Sequence, residues 1–200
     1  NDIAYVVETV PVESFSDHVG FSKVAGYWTG MPILNPPLTP DSVNLMAKNI
    51  SVIRKTILNK PFYIENNSHC ISWPNSSFSE AEFTNKVVKK SKAKILLDIP
   101  NMLADARNYK FNPYQFIDNL SINEVEMVHL AGGDWLDGYQ KGKITSGHNK
   151  KVEEETWKLF KYVLKKCSIK YVVLERSRNI DYDEIADDLK RLRGIVTKST

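Results

Sequence analysis

The stretch Glu124-Val-Glu-Met-Val-His129-Leu-Ala-Gly-Gly133 decides the predicted fold. Its valines and methionine are typical of a buried or half-buried strand, because such side chains pack well on a pleated surface. The two glycines that follow allow the backbone to turn sharply. The pattern therefore predicts a strand that carries His129 near its end and leads into a turn.

Four other apolar runs end in the same way. Three stop on a carboxylate, namely Phe62-Tyr-Ile-Glu65, Ile95-Leu-Leu-Asp98 and Tyr171-Val-Val-Leu-Glu175. A weaker fourth run, Ser14-Phe-Ser-Asp-His18, stops on a histidine. The chain holds 24 acidic residues and four histidines among 200 residues, so five such strand ends exceed what chance placement would give.

Helical patterns lie between the predicted strands, and strands that alternate with helices indicate parallel βα units. In a (β/α) barrel the carboxyl ends of the strands meet at one open face, where catalysis takes place. Two histidines and three carboxylates would then share one small space, and the carboxylates would raise one another's pKa unless a cation lay among them. The set therefore predicts a metal site, although each residue alone also fits a strand end exposed to water.

Length and composition predict one domain over residues 1–200, with 42% hydrophobic residues and a mean hydropathy of -0.35. The formal net charge of +3 is small and dispersed, which argues against a nucleic-acid partner. Cys70 and Cys167 form neither a disulfide framework nor a CxxC site and fit a reducing compartment. Neither a membrane-length segment nor a signal peptide is visible, so no membrane partner and a cytoplasmic location are expected.

Predicted helices follow capping signals at 39–41, 79–82, 112–113 and 181, and an amphipathic helix is predicted over 153–167. Two loops rich in glycine are predicted at 20–38 and 132–152. The first loop carries Tyr27 and Trp28, which would either line a substrate groove or cover the barrel mouth. His69 is interpreted as a loop or substrate contact, with a ligand role as the alternative. Asp98 and Asn101 would either share a hard metal ion or stabilise a turn.

Several short motifs occur together in the order of one family. They are Glu65-Asn66-x-Ser68, Leu97-Asp98-x-x-Asn101, His129-Leu-Ala-Gly132, His148 nine residues before Trp157, and Leu174-Glu175. In this ordered set, spread over roughly residues 14–192, the chain resembles the multinuclear non-heme iron-dependent oxidative enzymes, a family that includes the methanobactin-biosynthesis oxidase.

The resemblance implies a (β/α)8 TIM barrel of the xylose-isomerase-like type with two or three iron ions. It implies an enzyme that uses dioxygen as co-substrate to modify cysteine, or a neighbouring residue, in a ribosomally made precursor peptide. A small partner protein that delivers the peptide is also implied. Carried over position by position, the implied iron ligands are His18, Glu65, Asp98, Asn101, His129, His148 and Glu175. Imidazole and carboxylate ligands with open positions suit iron(II) and oxygen chemistry.

Three positions depart from the family pattern. Ser146 replaces an aspartate two residues before His148, which would weaken or remove one metal position. Gly133 replaces a second histidine found in many members, and Pro100 replaces an asparagine beside Asn101.

The chain is also short for a full barrel, which has typically about 250 residues. Five strands match the last five of the family, and the first three, which should bring one more histidine ligand, are absent. Because an open five-stranded sheet would expose two edges, and because the sequence starts at Asn1, we expect that it omits an N-terminal part.

Two rival functions remain. The ligand set alone also fits a divalent-metal-dependent isomerase or phosphoesterase on a related barrel, in which Arg176 and Arg178 would be the basic residues placed for phosphate. A degenerate barrel that binds a peptide without catalysis fits Ser146 and Gly133. Metal analysis separates these functions, because iron is expected only for the oxidative enzyme.

Overall fold

The computed structural model describes residues 2–24, 26–28, 34–58, 60–69, 71–137 and 142–197. The strands in these ranges are β1 (Phe15–His18), β2 (Lys23–Val24), β3 (Tyr27–Trp28), β4 (Phe62–Glu65), β5 (Lys94–Asp98), β6 (Val125–Leu130), β7 (Trp135–Asp137), β8 (Ile144–Ser146) and β9 (Tyr171–Leu174). The helices are α1 (Asp2–Thr9), α2 (Pro40–Thr56), α3 (Glu80–Ser91), α4 (Ile99–Tyr109), α5 (Pro113–Asn119), α6 (Glu154–Leu164) and α7 (Tyr182–Val196). A short 3-10 helix, Ile122–Glu124, precedes β6.

Five of the strands form one parallel sheet in the order β1-β4-β5-β6-β9. Each connection between neighbouring strands contains at least one helix, as parallel pairing requires. Strands β4 and β5 are buried along almost their whole length, which explains why they read as continuous apolar runs. The structure thus confirms the predicted α/β class as a parallel half-barrel sheet, consistent with an incomplete barrel.

The strand ends lie where the sequence predicts them. Strands β1, β4 and β5 end on His18, Glu65 and Asp98. Strand β6 runs one residue beyond His129, and Glu175 directly follows β9. Because all five strands are parallel, these ends lie on the same edge of the sheet.

Capping residues set the starts of the helices. The Thr39 side chain accepts a hydrogen bond from the Ser42 N–H at the start of α2. Ser79 and Glu82 form the complete predicted capping box of α3, and Asp181 caps α7. In α6, Trp157, Phe160 and Val163 lie on the buried face and belong to the hydrophobic core.

Helix α4 is absent from the sequence predictions. Its second residue is Pro100, which is compatible with a first helical turn because no intrahelical donor is needed there. Asp98 is both the last residue of β5 and the N-cap of α4, and its Oδ1 accepts a hydrogen bond of 2.7 Å from the Asn101 N–H. This direct junction holds Asp98 between a strand and a helix.

Two small antiparallel pairs, β2-β3 and β7-β8, lie within the predicted loops at 20–38 and 132–152. Neither pair is part of the parallel sheet. Within the described residues, none of the helices combines the length and the apolar character that crossing a membrane would require.

Candidate metal centre

The parallel register brings four predicted ligands side by side. His18 is paired with Glu65 across β1 and β4, and Asp98 is paired with His129 across β5 and β6. Glu175 joins them because its N–H donates to the Leu130 carbonyl at 2.9 Å, which continues the pairing of β9 with β6. The sheet itself therefore positions five of the seven predicted ligands.

Imidazoles and carboxylates alternate across this edge. Glu65 contacts His18 Nε2 through Oε2 at 3.5 Å and His129 Nδ1 through Oε1 at 3.1 Å. Glu175 contacts His129 Nδ1 through Oε2 at 3.4 Å and His148 Nδ1 through Oε1 at 3.3 Å. Each of these two carboxylates thus has its two oxygens directed at two different histidines, so each could share cations with two imidazoles.

The Nδ1 atom of His129 lies at the middle of the group. It contacts oxygens of Glu65, Glu175 and Asp98, the last at 3.7 Å. Ligand atoms of Glu65, Asp98, His129 and Glu175 all lie within 4.8 Å of one another. One N–H can donate to only one of three oxygens, whereas ligands about 2.1 Å from a shared ion would lie about 3.0–3.4 Å apart. The spacing therefore suits an ion better than a hydrogen bond.

Unpaired buried atoms support the same interpretation. Three buried atoms have no hydrogen-bond partner within the described part of the chain: Asp98 Oδ2, His129 Nδ1 and His148 Nε2. A buried polar atom without a partner costs about 1–3 kcal/mol, and more when it is charged. Three such atoms in one group fit residues whose partners are cations.

Electrostatic shifts in this group follow from burial and from the opposing charges. Burial alone would lower the pKa of His129, but Asp98, Glu175 and Glu65 outweigh it and raise the pKa to about 11. The neighbouring imidazoles of His129 and His148 hold the pKa of Glu175 far below its usual value. Burial raises the pKa of Asp98, because its fully enclosed carboxylate disfavours charge. Without a metal, His129 and His148 therefore hold their protons more tightly than free imidazoles do.

Amide side chains hold the base of the centre. The Asn66 amide donates to the Asp98 carbonyl and accepts from the Asp98 N–H, both at 2.9 Å. The Asn101 side-chain nitrogen donates to the Asn66 carbonyl at 3.3 Å. Asn101 thus supports the position of Asp98 in the turn, as one of its two sequence interpretations predicts, and its role as a ligand stays a prediction.

His148 reaches the centre from the segment after β8, with a left-handed backbone at φ +46°. The Ser177 N–H donates to the His148 carbonyl at 2.8 Å and fixes this segment beside Glu175. A Cβ on Gly133 would lie 2.4 Å from Asn149 Oδ1 and 2.9 Å from the backbone nitrogen of His148. The departure at Gly133 therefore has a steric reason, because the His148 segment occupies the space of a side chain there. Ser146 is the last residue of β8, where its backbone pairs with Trp135.

The three predicted substrate contacts lie outside this group. Tyr27 is 81% exposed on β3, and the backbone of its neighbour Trp28 pairs with Lys23. His69 is buried in a second group with Glu80 and Asp105. The sequence analysis missed Glu80 and Asp105. The sequence holds one signal for Asp105. It lies seven residues after Asp98, which is two turns along α4, a helix absent from the sequence predictions. Cys70 lies outside the described residues.

Comparison with known proteins identifies the wider group. Residues 1–197 match the family described as RiPP precursor modification enzyme MbnB/TglH/ChrH. A UPF0276 protein of Acinetobacter baylyi is 28% identical over 184 residues, which cover 91% of this chain and 61% of that protein. A UPF0276 protein of Vibrio parahaemolyticus is 25% identical over 181 residues, which cover 90% of this chain and 62% of that protein. The chain thus spans about three fifths of the length of these curated relatives.

Solved structures share the fold. A xylose isomerase domain protein from Planctomyces limnophilus superposes with a TM-score of 0.61 at 13% identity, over 98% of this chain and 65% of that one. Endonuclease IV from Thermus thermophilus superposes with a TM-score of 0.57 at 16% identity, over 98% of this chain and 66% of that one. The fold is therefore that of the xylose-isomerase-like TIM barrels. With the family match over nearly its whole length, the chain belongs to the RiPP precursor modification enzymes of the MbnB/TglH/ChrH family.

Proposed function

We propose that the whole protein is a multinuclear iron enzyme that uses dioxygen to oxidise a cysteine, or a neighbouring residue, in a ribosomally synthesised precursor peptide. The family supports the peptide substrate. The observation that carries the metal chemistry is the alternation of three histidines with Glu65 and Glu175, whose oxygens face two histidines each.

The proposed iron ligands are His18, Glu65, Asp98, Asn101, His129, His148 and Glu175. Glu65 and Glu175 each direct their two oxygens at two different histidines. This arrangement favours two or three ions rather than one. Bound iron would hold the substrate thiolate and make dioxygen available as the electron acceptor. Imidazole and carboxylate donors favour iron over a thiolate-selecting metal. The exchange of aspartate for Ser146 would weaken the position nearest His148.

The proposed ligands differ in how deeply they are buried. Asp98 is fully enclosed, whereas the side chains of His18 and Glu175 are 37% and 38% exposed. Asp98 therefore closes the buried part of the centre to water, and a peptide would approach at the carboxyl ends of the strands. Tyr27 and Trp28 are proposed to contact the peptide at this mouth, and His69 is kept as a further proposed contact.

The remaining parts of the proposal concern the whole protein. Residues 1–200 would be the last five βα units of a single TIM-barrel domain. The enzyme would act in the cytoplasm with a small partner protein that delivers the peptide. Neither nucleic acid nor a membrane is a proposed partner.

A phosphoesterase is a weaker proposal than an oxidase, because it needs basic side chains that are available to phosphate. Arg176, one of the two candidates, donates to Glu184 at 2.8 Å and to the Asn179 carbonyl at 3.4 Å, and its side chain is only 8% exposed. This arginine is therefore already engaged by Glu184 and by the Asn179 carbonyl.

The test is oxidation of a candidate peptide. The full-length protein, purified with iron, is incubated with a short cysteine-bearing peptide encoded beside its gene, with and without dioxygen, and the peptide mass is measured. We expect two or three iron ions per protein and a mass change that requires both iron and dioxygen. Activity with zinc, manganese or magnesium in place of iron would favour the isomerase or phosphoesterase, and absence of bound metal would favour a binding module.

A further inference from the structure

A second group of metal-ligand atoms lies where the segment after β4 meets α3 and α4. His69 Nδ1 is 2.8 Å from Asp105 Oδ2 and 3.6 Å from Glu80 Oε2. One ligand atom from each residue lies within 4.8 Å of the others. None of the three is a ligand in the centre proposed above.

The Asp105 carboxylate has one oxygen in use and one without a hydrogen bond. Oδ1 accepts the backbone N–H of His69 at 2.6 Å. Among the residues that the structure describes, buried Oδ2 has no hydrogen-bond partner, because the His69 ring nitrogen is close to it but outside hydrogen-bonding geometry. Asp105 is only 1% exposed, so water does not compensate this oxygen. The oxygen is directed at the space that His69 and Glu80 also face.

Each donor is held by a fixed element of the fold. Glu80 is the first residue of α3, and the capping box formed by Ser79 and Glu82 fixes that turn. Asp105 lies in the middle of α4. The Tyr109 hydroxyl donates to the His69 carbonyl at 2.9 Å, which fixes the segment that carries His69. The donors are therefore positioned before any ligand arrives.

An aromatic pocket of about 230 Å³ opens beside this group. His69 and Glu80 line it together with Leu38, Trp73, Phe78 and Phe111. An ion held between His69, Glu80 and Asp105 would thus have a route of entry and at least one coordination position that faces a small-molecule or peptide group in the pocket.

We propose that His69, Glu80 and Asp105 form a second, separate site for a divalent transition-metal cation. One imidazole and two carboxylates are donors that zinc, manganese and iron(II) accept, and three protein ligands leave a position for water or a bound group. The cation neutralises the two carboxylates and gives Asp105 Oδ2 the partner that the protein does not supply. The site does not depend on the proposed oxidase function, because it shares no ligand with that centre.

The competing explanation is a buried ion pair in which a protonated His69 alone balances Asp105 and Glu80. Zinc alone is the probe that separates the two explanations. The full-length protein with Glu65→Gln and His129→Ala, which disables the first centre, is titrated with Zn²⁺ against a coloured chelator, and bound zinc is counted after dialysis.

We expect this background protein to retain one zinc ion per chain. Adding Asp105→Asn should reduce its zinc affinity at least about 100-fold, since a lost ligand costs more than a lost supporting contact. Asp187→Asn, which changes an exposed carboxylate on α7, is the matched control and should leave zinc binding unchanged. The proposal is overturned if the background protein binds no more zinc than its Asp105→Asn derivative.

Folding of the variants is checked independently. The Asp105→Asn side chain retains an oxygen that can accept the His69 N–H. The contact between the His69 segment and α4 should therefore persist. Glu80→Gln is the second variant, because Glu80 lies in the first turn of α3 and is not its capping residue. Zinc should raise the thermal midpoint of the background protein and leave that of both variants unchanged. An equal rise in both variants would contradict the site.

Discussion

The two ends of the parallel sheet place carboxylates in opposite electrostatic settings. At the amino end, Glu126 accepts a hydrogen bond from the Tyr63 hydroxyl at 3.2 Å and pairs with Lys170 at 2.8 Å and Lys94 at 3.3 Å. At the carboxyl end, every ion pair that the described residues give Glu65, Asp98 and Glu175 is with a histidine.

A lysine carries its charge at any physiological pH, whereas a histidine must first take up a proton. At the amino end, burial would raise the pKa of Glu126, but Lys170 and Lys94 outweigh it and hold the pKa below its usual value. Burial and Glu126 together raise the pKa of Tyr63 to about 12. At the amino end, lysine side chains thus balance the carboxylate charge. At the carboxyl end, the charge of the carboxylates must be balanced by protons on histidines or by cations that bind from solution.

His129→Ala is expected to have the largest effect on the difference between the two ends of the sheet. The change removes the nitrogen that faces three carboxylates, so metal affinity should fall by at least about 100-fold while the fold persists. Metal content by elemental analysis and circular dichroism measure the two effects. Glu126→Gln, on the same strand at the other end, is the control and should retain full metal content. Unchanged iron in His129→Ala protein would show that the assignment of His129 is wrong.

Gly133→Ala tests whether close packing holds the His148 side of the carboxyl end. The added Cβ would collide with Asn149 Oδ1 and approach the His148 nitrogen, so the loop must shift. We expect a loss of about 1–3 kcal/mol in the free energy of unfolding, together with weaker metal binding. Urea unfolding and metal titration measure these losses. Gly194→Ala, in α7 with open space around it, should be neutral or stabilising.

Glu126→Gln tests the charge balance at the amino end. Loss of the charged partner of Lys94 and Lys170 should lower the free energy of unfolding by about 1–2 kcal/mol near neutral pH. Because the folded pKa of Glu126 lies below the unfolded value of 4.5, its contribution is present above that pH. It is lost as the pH falls through the folded pKa, so wild type and variant should converge in acid. Urea unfolding across this pH range measures the difference, and a constant difference would contradict the ion pairs.

Lys94→Met should have the smallest effect. The Lys94 side chain is 35% exposed and pairs with Glu124 at 2.6 Å, and exposed ion pairs contribute little. We expect a loss of about 0.5 kcal/mol in the free energy of unfolding and no change in bound metal. A metal loss in this variant would mean that the two ends of the sheet are not independent.

The sequence predicted that His18, Glu65, Asp98, His129 and Glu175 lie together because each stands at or beside the end of an apolar run, and parallel strands end on the same edge of the sheet. His148, which lies in a loop, was implied only by the family resemblance. Glu65 and Asp98 are recognisable from the buried strands before them. Helix α4 escaped prediction because it begins at Ile99, directly after the strand ends at Asp98, so the usual loop between strand and helix is missing. His69, Glu80 and Asp105 come from a loop and two helices, and their proximity depends on how α3 packs beside α4. No local spacing encodes that packing.

The amide of Asn66 bonds both peptide groups of Asp98, so a side chain takes the place of a neighbouring strand at the point where the sheet ends. Ordering of these donors is thereby completed while the chain folds. An ion that bound here would meet ligands that are already ordered. Little of its binding free energy would be lost to the conformational entropy of the side chains. The affinity proposed for the buried half of the centre would then come from order that the folded chain already has, and less from rearrangement when an ion binds.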